Sequence, residues 1–134
     1  MIDTIFRDNT KLSAAGAWIS PGYNSKGKEM RIRIGSTDSD NPKYQNMIEK
    51  STRAYRHFKS VPDDVVHKTM AKAISETVIY EWENIEDNGA IVKYAKKNVY
   101  DMLLKYPKFL HWIIQQSERD DLFNDVSLED DVKN

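Results

Sequence analysis

The chain has 134 residues, 40% of them hydrophobic and 31% charged, with a net charge of −1 and no cysteine. That suffices for one domain with one core, and the absence of cysteine removes disulfide scaffolds, thiol nucleophiles and cysteine zinc sites together. The charge is uneven: residues 1–60 carry 11 basic and 6 acidic side chains, and residues 61–134 carry 9 and 15, so the two halves either steer a partner or a second copy, or form two solvated faces.

Residues 1–16 have little periodicity and read as an extended lead-in. They contain no basic stretch followed by an apolar run, so no signal peptide is expected. No apolar run approaches the roughly 20 residues of a membrane helix, and the expectation is a soluble intracellular protein. Ala17-Trp18-Ile19-Ser20 reads as a short strand, and Pro21-Gly22 with Gly27 marks a turn. Met30-Arg31-Ile32-Arg33-Ile34 alternates strictly, as a half-buried strand does. Residues 17–34 therefore predict a β-hairpin, which must pack on helices or pair edge to edge with another copy, because two strands alone are marginal in water.

Asn41 and Pro42 suit the cap and first position of a helix. Along it Tyr44, Met47, Ile48, Ser51, Tyr55 and Phe58 share one face. A second helix starts near Pro62-Asp63-Asp64, with acids where the dipole favours them. Its core stripe is Val66, Met70, Ala73, Ile74, Thr77 and Val78, with Ile79 and Trp82 off that stripe. Glu86-Asp87-Asn88-Gly89 reads as a tight turn, followed by a short extended piece over residues 90–94. A third helix over residues 96–105 buries Val99, Met102 and Leu103. A fourth begins at Pro107, where Phe109, Leu110, Trp112, Ile113 and Ile114 leave only a narrow polar stripe of Lys108, His111 and Gln115. Such a helix is either central or part of an interface. The acidic tail, residues 125–134, reads as disordered. The predicted class is thus mainly α: a single domain over residues 17–124, with helices in 41–124 and a small N-terminal hairpin.

Catalytic and ligand-binding patterns fail at decisive positions. Residues 22–28 follow the phosphate-loop pattern, but Glu29 stands where Ser or Thr would hold magnesium, and a strand follows where a helix must open. Residues 38–49 resemble a calcium loop with Pro42 and Lys43 at two critical positions; a capped helix start explains them better. His57, His67 and His111 have no metal-pair spacing, and Asp63 with His67 does not close a zinc site. Ser25 and Lys28 fit a Ser-x-x-Lys pattern without its supporting motifs. Glu81, Glu83, Glu86 and Asp87 crowd a helix end and a turn instead of converging on a cleft. The expectation is no enzyme, no metal and no cofactor. A basic region over residues 31–59, with Tyr44, Tyr55 and Phe58 interleaved, raises a nucleic-acid-binding regulator as an alternative. Those aromatics lie on the apolar stripe, however, and the acidic second half repels a phosphate backbone.

The stretch from Ala71 through Trp82 and Asn88-Gly89 to Tyr94-Ala95 resembles the tail assembly chaperones of long-tailed bacteriophages. In that family a helix ending in Trp precedes an Asp/Asn-Gly turn, an extended segment ending in Tyr-Ser, and another helix. Gly16-Ala17-Trp18-Ile19, Arg31 through Ile34, Asn41-Pro42-Lys43-Tyr44, Leu103-Leu104, Tyr106-Pro107 and Ser117 through Phe123 agree in order, extending the resemblance over roughly residues 15–124. Ala95 stands where a capping Ser is usual, and Glu83-Asn84 where a Gly-containing pair follows the Trp. The resemblance implies a chaperone that binds the tape measure protein, keeps it soluble and helps the major tail tube protein assemble around it. It implies action in the cytoplasm of the infected host and absence from the finished virion. It also implies a frameshifted longer form, with this chain as the short one. Apolar residues off the core stripes, Ile79, Tyr80, Trp112 and Ile114, are the candidate protein-binding residues, and a homo-oligomer is a further possible state. A structural tail or head–tail connector protein is the other alternative.

Overall fold

The alternation of Met30, Ile32 and Ile34 with Arg31 and Arg33 sends alternate side chains to opposite faces of a strand. The computed structural model describes residues 15–123 and builds its sheet around that strand. β1 (Ala17–Tyr23) and β2 (Glu29–Ile34) form the expected hairpin. The elements that follow are α1 (Pro42–Tyr55), α2 (Asp63–Thr77), β3 (Ile79–Glu83), β4 (Glu86–Asp87), β5 (Ala90–Ile91), α3 (Lys96–Lys105), α4 (Pro107–Ser117) and a 3-10 turn at Asp120–Leu122. Expectations for residues 1–14 and for the tail beyond Phe123 lie outside the described residues. At the described end of the lead-in the chain is not extended: Ala15 is helical and Gly16 has φ +82°.

One correction changes the class. The second helix does not run on to Trp82. It stops at Thr77, and residues 79–83 form a third strand that pairs antiparallel with β2, giving the order β1-β2-β3. Among the described residues from Ala17 on, the fold is four helices plus a three-stranded antiparallel sheet, not a mainly helical domain with a lone hairpin. The inner face carries Ala17, Ile19, Ile32, Ile34, Ile79 and Trp82, paired as Ala17 with Ile34, Ile19 with Ile32, Trp82 with Ile32 and Ile79 with Ile34. These side chains join Ile74, Val78, Val99, Leu103, Leu110 and Ile113 in one core. Because β3 occupies the second edge of β2, edge-to-edge pairing is left to the outer edges of β1 and β3, and on β1 Pro21 and a bulge after Ile19 interrupt the ladder.

The outer face of the sheet is polar and paired. Arg31 reaches Glu83 at 2.9 Å and lies 4.4 Å from the Trp18 ring centre. Arg33 reaches Glu81 at 3.4 Å and donates to the Ala15 carbonyl at 2.7 Å. Gly16 is required beside it: a Cβ there would come within 2.7 Å of Arg33 Cγ and 2.8 Å of the Tyr80 ring.

The helix starts obey their sequence signals. The Asn41 side chain accepts from Tyr44 N at 3.2 Å, and its amide donates to the carbonyls of Ser36 (2.8 Å) and Thr77 (2.9 Å). One buried side chain thus caps α1 and holds it against the end of α2. α3 begins at Ala95 with no side-chain cap, as expected from the missing Ser. α4 is less uniformly apolar in its setting than its sequence implied: Leu110 and Ile113 are buried, while Phe109, Trp112 and Ile114 are half-buried against the core. Among the described residues no helix is long and apolar enough to cross a membrane.

Candidate functional site

The four residues proposed from sequence for protein binding are divided between two places. Ile79 is only 1% exposed and fills the core beneath the sheet. Its apparent escape from the helical stripe came from its being in a strand. Tyr80 is half-buried, with Arg33 5.6 Å from its ring centre. Both line a cleft of about 620 Å³ with Asn41, Lys43, Tyr94 and Lys96. Trp112 and Ile114 are on α4, outside that cleft, and pack against the core.

The positions that looked chemical are occupied by structural bonds. In the glycine-bounded turn, the Asn24 side chain accepts from the amides of Lys26 and Lys28, both at 3.0 Å. The Glu86 carboxylate accepts from Ser25 N at 3.1 Å and from Ser25 Oγ at 2.7 Å. The donors that a phosphate would need are therefore already answered. Glu81 and Glu83 hold arginines. Asp87 accepts from Lys105 at 2.8 Å and from the Tyr106 hydroxyl. These two hydrogen bonds hold its carboxyl below the usual carboxylate range. Burial raises the Tyr94 hydroxyl, which donates to the Ile79 carbonyl at 2.8 Å. Among the described residues no group of three or more His, Asp or Glu is placed to hold a metal ion. The basic region is divided, with Arg31 and Arg33 on the sheet, Lys43 in the first turn of α1, and Lys50, Arg53, Arg56 and Lys59 toward and beyond its far end.

The surface that sequence reasoning missed lies between α1 and α2. α1 ends at Tyr55, so Phe58 leaves the helical stripe on which it was placed and is 58% exposed. Its amide donates to the Tyr55 carbonyl at 3.0 Å, and its ring meets the Tyr55 ring edge-on at 5.5 Å. Across from it Val66, expected in the core stripe of α2, is 47% exposed. Ile48, Tyr55, Phe58, Val61, Val66 and Met70 line an open groove of about 400 Å³, and Arg56 is the charged side chain among its lining residues. An apolar groove between two helices has the geometry that can receive one face of a third helix. The sequence signal was present in Val61-Pro62, which ends the first helical pattern close behind Phe58.

A family model described as YdaY prophage protein matches residues 39–134, which takes in α1, α2 and everything after them and leaves out β1 and β2. No curated protein and no solved structure matches the chain.

Proposed function

The chain belongs to the YdaY prophage protein family, and on that premise we propose that it is a tail assembly chaperone that binds the tape measure protein without catalysis. The observation that carries the reading is the open apolar groove between α1 and α2, with Phe58 and Val66 exposed at its mouth. A holding chaperone needs a solvent-facing apolar surface on a stable support. Here the support is the sheet and α3–α4 core, and the groove is of the kind that receives one face of an amphipathic helix. The similarity of residues 71–95 to phage tail assembly chaperones points to the client. The turn at Asn88-Gly89 and the helix from Lys96 keep that pattern, while Trp82 departs from it by lying in a strand.

On this reading the protein acts in the host cytoplasm, shields the tape measure protein until tube subunits surround it, and is absent from the particle. The test is co-expression with the tape measure protein of the same prophage. Co-elution, with the client moving from the insoluble to the soluble fraction, is the expected outcome. A client that stays insoluble and unbound, with this chain recovered in purified particles, would replace the chaperone by a structural tail or connector protein.

A further inference from the structure

The groove that carries the proposed function also restricts the chemistry of what enters it. Its α1 wall runs from Ile48 to Tyr55, seven residues apart, or about 10 Å of helix. That is the spacing of positions i and i+7 on a second helix, the span over which helix-in-groove anchors are set. Its width is set by two packed helices, whose axes lie roughly 8–10 Å apart. An opening on the order of 100 Å² is far below the roughly 800 Å² per partner of a stable dimer. It can seat two or three side chains of one helix but cannot by itself hold a second copy of the chain.

Charge adds a direction. The floor is apolar, and the charged side chain on the wall is Arg56, with Lys59 in the loop that follows Phe58. Arg53 stands on the same helix, its contact with Glu49 a loose 3.8 Å between exposed groups. No ion pair engages Arg56 or Lys59 among the described residues. On the α2 side the exposed acids Asp63 and Asp64 open the helix next to Val61. The α1 side of the rim, at Arg56 and Lys59, therefore offers positive charge, and the α2 start offers negative charge.

We infer that the groove between α1 and α2 selects an amphipathic helix with an acidic edge: apolar anchors against Phe58, Val66 and Met70, and carboxylates toward Arg56 and Lys59. The inference rests on the groove being the client site, and it goes further by naming the character of the client segment. The discrimination is local, because the net charge of the whole chain would draw a basic peptide instead.

The experiment uses the full chain and three synthetic helical peptides about five turns long. One has leucine anchors with a glutamate edge, one has the same anchors with a lysine edge, and one has the glutamate edge without anchors. Binding is followed by fluorescence anisotropy. The acidic amphipathic peptide is expected to bind about tenfold tighter than the basic one, with a preference that shrinks as salt rises through the range that screens exposed pairs. Phe58→Asp should weaken it about tenfold or more, as removal of a central anchor does. Arg56→Glu should erase or invert the preference between the two edges. Val66→Ser is the second groove variant if Phe58→Asp alters the fold. Equal or tighter binding of the basic peptide overturns the inference. So does binding of the anchor-free acidic peptide as well as the amphipathic one. Concentration-dependent self-association that Phe58→Asp abolishes overturns it too, because the occupant is then a second copy. Acidic-peptide binding with no capture of the tape measure protein would sink the client assignment and leave the groove chemistry standing.

Discussion

The two ends of the molecule differ in what surrounds their exposed side chains: fixed polar bonds at the sheet end, an apolar groove between α1 and α2. At the sheet end Tyr23, Ile91 and Trp18 are exposed, and the polar groups around them are tied. Asn24 and Asn84 bracket the β1–β2 turn, with Asn24 Nδ2 donating to the Asn84 carbonyl at 3.1 Å and Asn84 Nδ2 to the Glu29 carbonyl at 2.9 Å. Trp82 Nε1 donates to the Val92 carbonyl at 2.9 Å, and its ring meets Tyr94 edge-on at 6.0 Å. Lys105 and Tyr106 both reach Asp87, fixing the β4–β5 hairpin to the junction of α3 and α4. At the α1–α2 end two large apolar side chains, Phe58 and Val66, are exposed on the lining of one groove, Phe58 meeting the edge of the Tyr55 ring. Fixed polar bonds make a scaffold, whereas exposed apolar surface costs free energy until something covers it. The contrast separates what holds the fold from what is left for a partner.

The sharpest way to break that contrast is at the tied end. Trp82→Ala removes a buried ring from the inner face of β3 together with its hydrogen bond, and should lower unfolding stability by about 3–5 kcal/mol in a denaturant titration. Asn41→Ala removes the α1 cap and leaves the Ser36 and Thr77 carbonyls without that donor, for an expected loss of about 2 kcal/mol by the same measurement. Asp87 gives a smaller, pH-dependent effect. Its folded pKa is lowered from the ordinary 3.8 by hydrogen bonds from Lys105 and Tyr106. Its contribution is therefore present above that ordinary value and is lost as pH falls through the lower folded one. Asp87→Asn should flatten this part of the acid-unfolding curve and leave the neutral range with only the constant loss of one ion pair. At the open end Phe58→Asp should move stability by no more than about 0.5 kcal/mol, as exposed substitutions do. A large loss there would mean that Phe58 belongs to the core after all.

Much of the scaffold was legible in the sequence. Asn41-Pro42 marks the start of α1, Asn88-Gly89 marks the turn at φ +52° and +82°, and the spacing of Val99 and Leu103 gives α3. The third strand was hidden by its own bulge. The register shift between Arg33 and Ile34 puts Ile79 and Trp82 on the same inner face although they are three residues apart. Three is a helical interval, and in an undistorted strand that separation would send the two side chains to opposite faces. No Gly or Pro follows Thr77 to announce the end of α2. The same misreading made Ile79 a surface candidate, when its freedom from the helical stripe meant a sheet. The groove was illegible for the converse reason. A helical wheel carried Phe58 onto the core face of α1, but the helix had already ended at Tyr55. Only the packing of α1 on α2 leaves Val66 uncovered.

The central claim is that the open groove is where the client is held. The most direct measurement is the soluble yield of the tape measure protein when co-expressed with the wild-type chain and with Phe58→Asp, the variant first being verified to unfold at the wild-type midpoint. The account predicts soluble, co-eluting client with the wild type and insoluble client with the variant. Equal client solubility with both proteins would place the holding surface elsewhere and contradict the account.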